Sequence, residues 1–211
     1  MSSADVKHAP AYSLWLGGAI GFLNYSGGLF IRDTTMAIET TDGFVRSGLA
    51  LQGDIGARLA RRFIPYGTFE LGLVGAGTRF DGGPATTAST SFVGAGFRYL
   101  LGDVDSISFA GDVSFGWRKF QVSNVTGTWS AGGLEILRLG LGVDVRLSTH
   151  VTVSPMLTLS GGTLTDTGGD IAFAAGGGPR YTGSVGIPPE ARTTYFAIVL
   201  GCGAHVDLLG K

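Results

Sequence analysis

Residues 138–148, RLGLGVDVRLS, place Leu139, Leu141, Val143, Val145 and Leu147 on one side of a pleat and Arg138, Gly140, Gly142, Asp144, Arg146 and Ser148 on the other. Strict alternation is the signature of a strand with one apolar and one polar face. Seven further stretches carry it. Their apolar positions are Leu14–Phe22, Leu49–Leu59, Phe69–Gly75, Val93–Leu101, Ile107–Trp117, Val151–Leu159 and Phe196–Leu208, counted at every second residue. Each band runs for about ten residues, the length a tilted strand needs to cross a bilayer. No stretch shows a helical period.

Alternation does not say which face is outside: a soluble sandwich buries the apolar face, and a membrane barrel turns it to lipid. The connections bear on this. After the second, fourth and sixth stretches the chain turns within a few residues, at 60–65, 102–106 and 148–150. After the first, third, fifth and seventh it takes longer paths, at about 24–46, 80–91, 119–133 and 161–193. Short turns at one end and long loops at the other are the layout of a transmembrane barrel.

The polar faces agree. Gly48, Ala50, Gln52, Asp54, Gly56 and Arg58 in one stretch, and Ser108, Ala110, Asp112, Ser114, Gly116 and Arg118 in another, are small residues with a charge every few positions. An eight-stranded barrel has an interior just wide enough to be filled by such side chains. Aromatic residues near the strand ends, Tyr12, Phe63, Tyr66 and Tyr99 towards the turns and Trp117, Phe120, Tyr195 and Phe196 towards the loops, are expected as interfacial girdles. The predicted fold is therefore all-β, an eight-stranded antiparallel up-and-down transmembrane barrel over 11–211, with short periplasmic turns, long extracellular loops and an N-terminal tail over 1–10.

Composition supports this. Only 15% of the 211 residues are charged, against about 25% in soluble domains. Lysine, which soluble sheets use to protect exposed edges, occurs only at Lys7, Lys119 and Lys211. A net charge of -1 offers no basic face to nucleic acid. The 37 glycines follow no collagen period, and the lone Cys202 excludes an internal disulfide.

Alternation, strand count and loop asymmetry together resemble the small eight-stranded outer-membrane barrels, the OmpA-like and OmpX-like transmembrane domains, over about Ala11 to Leu208. The last stretch, GCGAHVDLL, partly matches the C-terminal assembly signal of that family, with Gly203, Val206 and Leu208 at its glycine and apolar positions; it lacks the terminal aromatic residue. The resemblance implies a bacterial outer-membrane location, contact with bilayer lipid and lipopolysaccharide, and insertion by the outer-membrane assembly machinery. Pro155, which cannot donate to a ladder, is expected at a bulge or at the periplasmic rim.

The candidate chemistry lies in the lumen. Counting from the tight turns sets Glu70 and Arg98 at similar heights, with Asp54, Arg58, Asp112, Arg118, Asp144 and Arg146 completing a ring of largely alternating sign. Buried charges need partners, so a salt-bridge plug is predicted, and packing is favoured over gating as its role. His205 and Asp207 are expected as a polar periplasmic rim. No cofactor or metal site is predicted, since Asp166 and Asp170 lack the ligand spacing of a calcium loop. Trp129, Ile171, Phe173, Tyr181, Val185 and Ile187 are candidates for a loop contact surface. The favoured function is structural or surface-interactive and not enzymatic. The alternatives are a narrow gated channel, a lipid-modifying enzyme and a soluble lipocalin-like barrel.

Overall fold

A computed structural model describes residues 8–31, 36–80, 86–125, 127–169 and 185–210. Its strands are β1 (Ser13–Ile31), β2 (Ile38–Thr40), β3 (Val45–Arg58), β4 (Phe63–Ala76), β5 (Thr87–Gly102), β6 (Ile107–Asn124), β7 (Gly127–Arg146), β8 (Val151–Gly169), β9 (Val185–Gly186) and β10 (Thr194–Leu208). Eight of them, β1, β3 to β8 and β10, pair antiparallel with their neighbours in chain order. The sheet then closes on itself: β1 joins β10 from Leu14↔Leu208 to Gly27↔Tyr195. Closure leaves the barrel no edge. The short strands β2 and β9 add to β1 and β8 on the loop side, where a single-turn helix, α1 (Thr41–Phe44), leads into β3.

Along every barrel strand the apolar band faces out. Leu139, Leu141 and Leu147 of the opening stretch are exposed, and Arg138, Asp144 and Arg146 are buried. On β6 the outward row Ile107, Phe109, Val113, Phe115, Trp117 spans about 33 Å of strand at the rise of an extended chain, enough for a bilayer at barrel tilt. The inward charges and outward apolar belt reverse the lipocalin arrangement. The tight turns are residues 59–62, 103–106 and 147–150. Ala60 and Arg61 adopt left-handed φ values of 47° and 67° there, and the Arg61 amide donates to the Ala11 carbonyl.

Three sequence expectations change. The connection expected over 119–133 is strand almost throughout: β6 and β7 remain paired to Asn124↔Gly127. Alternation continues there with its polarity inverted, because Lys119, Gln121, Ser123 and Ser130 now face out while Phe120, Val122, Trp129 and Ala131 face in. The same inversion follows Phe22 on β1, where Asn24 and Ser26 are exposed and Leu23 and Tyr25 buried. Above the apolar belt the barrel thus has the polarity of a water-soluble protein. Second, Tyr66, Phe120 and Tyr195 are not girdle residues. They share the inward parity of Thr68, Arg118 and Ala197, and are buried in the lumen, whereas Tyr12, Phe63, Tyr99, Trp117 and Phe196 are exposed. Third, Pro155 sits at neither bulge nor rim. It opposes Cys202 of β10 in regular register, and the β7–β8 pairing omits the rungs between Gly142↔Met156 and Val145↔Val153 that its missing N–H would serve.

The inverted segment has its own apolar core, built from Leu23, Leu29, Phe30, Phe44, Phe120, Val122, Trp129, Leu164 and Ile187 among others. Trp129 and Ile187, expected on a contact surface, are therefore interior; Asp170, Ile171, Phe173 and Tyr181 lie outside the described residues. A smaller core of Ala9, Trp15, Ile64, Tyr66, Leu100, Val104 and Ala110 fills the turn end.

Candidate functional site

All ten charged or titratable residues expected in the lumen or at its rim face inward and are buried. They fall into three tiers.

The upper tier lies just below the aromatic core. Arg118 forms a two-pronged pair with Glu135 through Nε and Nη2, and its Nη1 donates to Glu70 Oε1 at 3.0 Å and to the Tyr25 hydroxyl at 2.7 Å. Arg138 pairs with the other oxygen of Glu70 and approaches Glu135 at 3.4 Å. Tyr195 donates its hydroxyl to Glu135 at 3.3 Å. Both guanidinium groups lie near the Phe92 ring, 5.2 and 5.0 Å from its centroid, within cation–π range. Two positive and two negative charges balance at this level.

The middle tier centres on Arg98. Its Nε donates to Asp112 at 3.3 Å, its Nη1 lies 3.8 Å from Asp144 and 3.3 Å from His205 Nε2, and its Nη2 meets the Met156 sulfur at 2.8 Å. Tyr66 donates to Asp112. Ser154 donates to Asp144 at 2.6 Å and lies 3.1 Å from His205 Nδ1, and the His205 ring stacks on Trp15 with centroids 4.4 Å apart. Asp54 takes two bonds from the Gln52 amide at 2.9 and 3.1 Å. A cavity of about 40 Å³ opens between this tier and the upper one, with Asp54, Thr68, Arg98, Asp112 and Arg138 on its walls; that is room for about two or three waters.

The lower tier closes the turn end. Asp207 accepts from Arg58 Nε at 2.8 Å, from Arg146 Nη2 at 3.3 Å and from the Ser13 hydroxyl at 2.7 Å. Beneath it, Ala9 and Pro10 cross the mouth. Asp105 pairs with Arg61, accepts the Ala9 amide at 2.7 Å and meets His8 Nδ1 at 3.2 Å.

Some expected partnerships are rearranged. Glu70 and Arg98 do not meet: the β4–β5 register sets Glu70 against Phe92 and Arg98 against Ile64, six residues along the strand. Counting from the turns ignored the stagger that strand tilt imposes on a barrel. His205 belongs to the middle tier, opposite Gly17, and only Asp207 reaches the floor. Sequence reasoning missed Glu135, because a bulge between Glu135 and Leu137 puts Leu134, Ile136 and Leu137 all outside and shifts the parity counted back from Arg138. Arg138 stands on the polar face of the sequence pattern but outside the predicted network, which it joins through Glu70 and Glu135. Ser154 was missed as well. It brings a Ser–His–carboxylate group together, its hydroxyl donating to Asp144 at 2.6 Å and lying 3.1 Å from His205 Nδ1. The group is also enclosed in the lumen, away from the lipid-facing surface.

The barrel superposes on Neisserial surface protein A with a TM-score of 0.59 at 10% identity, covering 93% of this chain and 99% of that one. It superposes on the outer membrane protein OprG from Pseudomonas aeruginosa with a TM-score of 0.54 at 13% identity, covering 95% and 99%. The fold is that of the small eight-stranded outer-membrane barrels. No family model matches the chain, and no curated protein matches it in sequence. The likeness of this barrel to its neighbours is thus one of backbone path, and its lumen must be read from its own residues.

Proposed function

We propose that the protein is a non-conducting, non-enzymatic outer-membrane barrel whose role is structural or surface-interactive. The observation that carries this reading is the stacking of closures along one lumen: the aromatic core, the Arg118/Arg138–Glu70/Glu135 tier, the Arg98 tier and the Arg58/Arg146–Asp207 floor. A permeant ion would have to break several buried pairs in sequence, and breaking one costs about 3–5 kcal/mol.

The inverted segment supplies the surface role. β6 continues from Lys119 to Asn124, about 17 Å of strand beyond the belt, and its interior is packed like that of a soluble domain. Loops carried on such a base are held by a rigid support, the arrangement in which binding surfaces evolve.

The test is single-channel recording in planar bilayers. The wild-type protein is expected to be silent, and removal of two adjacent closures together, as in Arg118→Ala with Arg98→Ala, to open a measurable conductance. Steady wild-type conductance would instead establish the gated channel. Incubation with outer-membrane lipid should leave the lipid unchanged; a modified lipid would overturn the non-enzymatic reading.

A further inference from the structure

The lumen holds one more acid than base. Among its described residues Arg58, Arg98, Arg118, Arg138 and Arg146 face Asp54, Glu70, Asp112, Glu135, Asp144 and Asp207, all buried. A buried charge without a partner is strongly unfavourable. The excess falls on the middle tier, where Asp54, Asp112 and Asp144 stand around Arg98. Asp112 pairs with Arg98 and takes the Tyr66 hydroxyl; Asp144 has Arg98 at 3.8 Å and the Ser154 hydroxyl. Asp54 is bonded to neutral groups instead. Its two oxygens share the Gln52 amide at 2.9 and 3.1 Å, and the hydroxyl of Thr68, its opposite number across the β3–β4 ladder, is its other partner.

Two guanidinium groups and an imidazole share the cavity with Asp54, and each is committed elsewhere. Arg98 gives Nε to Asp112, Nη1 to His205 and Nη2 to the Met156 sulfur. Arg138 gives Nη2 to Glu70 and to Gln52 Oε1, and Nη1 to Glu135. Gln52 therefore accepts from Arg138 and donates to Asp54, a neutral amide between the guanidinium and the carboxyl. His205 does not supply the missing charge either. Arginine can only donate, so the 3.3 Å contact from Arg98 Nη1 requires a lone pair on His205 Nε2, and the ring proton lies on Nδ1, 3.1 Å from Ser154 Oγ.

A second observation shows where a proton is needed. β1 sets Gly17 opposite Asp54, and a Cβ on Gly17 would lie 3.1 Å from Asp54 Oδ2 and 3.2 Å from His205 Nε2. Two acceptors thus converge over a residue that has no side chain to part them. A proton on the carboxyl turns one of the two into a donor.

We propose that Asp54 carries a proton at neutral pH, so that the middle of the lumen is closed by an uncharged carboxylic acid. Its O–H serves the acceptors beside it, Thr68 Oγ1 and His205 Nε2. The lumen is left with five positive and five negative charges, and Arg98 keeps its present partners. Loss of the proton sets a third carboxylate charge beside Arg98, which makes this closure a proton-dependent latch. The proposal goes beyond the closed-barrel reading and is read on the folded barrel whether or not it conducts.

The experiment is infrared spectroscopy of the detergent-folded barrel labelled with carbon-13 at the aspartate carboxyls, alongside urea midpoints from pH 5 to 8. The comparison is with Asp54→Asn, which keeps the shape of the acid without its titration. A carbonyl band of protonated aspartic acid is expected at pH 7 in the wild type and should be lost in the variant. The folded barrel then holds a proton that the unfolded chain, whose aspartates ionise at about 3.9, has released. That contribution is complete below about pH 4 and is lost as pH rises, so the wild-type midpoint should fall relative to that of Asp54→Asn with the slope of one proton per barrel. Should Asp54→Asn not fold, Thr68→Val, which removes one hydrogen bond to the acid, should shift the band. Absence of the band in the wild type, parallel midpoint profiles, or a band that Thr68→Val leaves unmoved would each overturn the proposal.

Discussion

Arg118 on β6 reaches across the lumen to Glu70 on β4, Nη1 to Oε1 at 3.0 Å, while its other two nitrogens hold Glu135 on the neighbouring strand β7. Both Arg118 and Glu70 are fully buried. One guanidinium therefore ties a cross-lumen contact to an adjacent-strand contact, and the tier braces the barrel as well as closing it. Removing one partner strands the others without water. Glu70→Ala is expected to destabilise the barrel by about 3–5 kcal/mol, measured as the urea midpoint of the compact, unheated gel band in micelles. Replacing Glu70 and Arg138 together by leucine and methionine should cost less than Glu70→Ala alone, because no isolated charge remains. An equal or larger loss would show that the pair itself, and not the stranded charge, sets the effect.

The polarity inversion at Arg118 and Lys119 yields a paired test. Leu141 lies in the belt at 69% exposure, and an arginine near the bilayer midplane of a barrel costs about 2–4 kcal/mol. Ser130 has the same outward parity but lies above the belt, opposite Gln121. Leu141→Arg should lower folding stability in lipid vesicles by that amount, and Ser130→Arg by less than about 1 kcal/mol. Similar penalties at both positions would place the membrane boundary beyond the β6–β7 tip.

The aromatic core makes the opposite prediction for truncation. Phe120 faces in and is fully buried, while Phe109 faces out and is 66% exposed. Phe120→Ala opens a cavity inside a packed core, worth about 3–5 kcal/mol. Phe109→Ala exchanges ring contacts for lipid contacts, and lipid is as apolar as the side chain removed. Limited proteolysis of the β6–β7 hairpin should therefore accelerate in Phe120→Ala and stay at the wild-type rate in Phe109→Ala.

These contrasts also mark what was legible in the sequence. Alternation is a local property, so it identified the eight strands and, with the spacing of turns, the face that meets lipid. It also assigned Asp54, Glu70, Arg98 and Asp112 to the interior, because parity follows from the pleat. Partnership was not local. It depends on stagger, which set Glu70 against Phe92 rather than Arg98, and on a bulge, which turned Glu135 inward against the count. The 119–133 segment reads as a loop in the sequence for a related reason. An apolar outer row marks a membrane strand, and above the membrane that row moves inside, so Phe120, Val122 and Trp129 read as the end of the pattern although they continue it.

The turn end supplies a pH test outside the membrane. Asp105, in the turn between β5 and β6, is pushed up by partial desolvation, but the Arg61 guanidinium, the Ala9 amide and His8 outweigh this and hold its carboxyl well below the usual carboxylate range. Asp103 is also lowered, by the Asp105 amide and the Ser106 hydroxyl. A carboxyl whose folded value is depressed stabilises fully above its unfolded value of about 3.9, and that contribution is lost as pH falls through the folded value. Docking of Ala9 across the mouth should therefore be constant from about pH 7 to 5 and weaken below about pH 4. Hydrogen exchange at the Ala9 amide, corrected for its intrinsic pH dependence, reads this directly. Asp105→Asn should leave Ala9 unprotected already at pH 7, while Asp103→Asn, which loosens the turn but keeps the clamp, should retain most of the protection. Equal protection of Ala9 at pH 3 and pH 7 in the wild type would mean that burial of Ala9 beside Val104, and not Asp105, holds the segment in place.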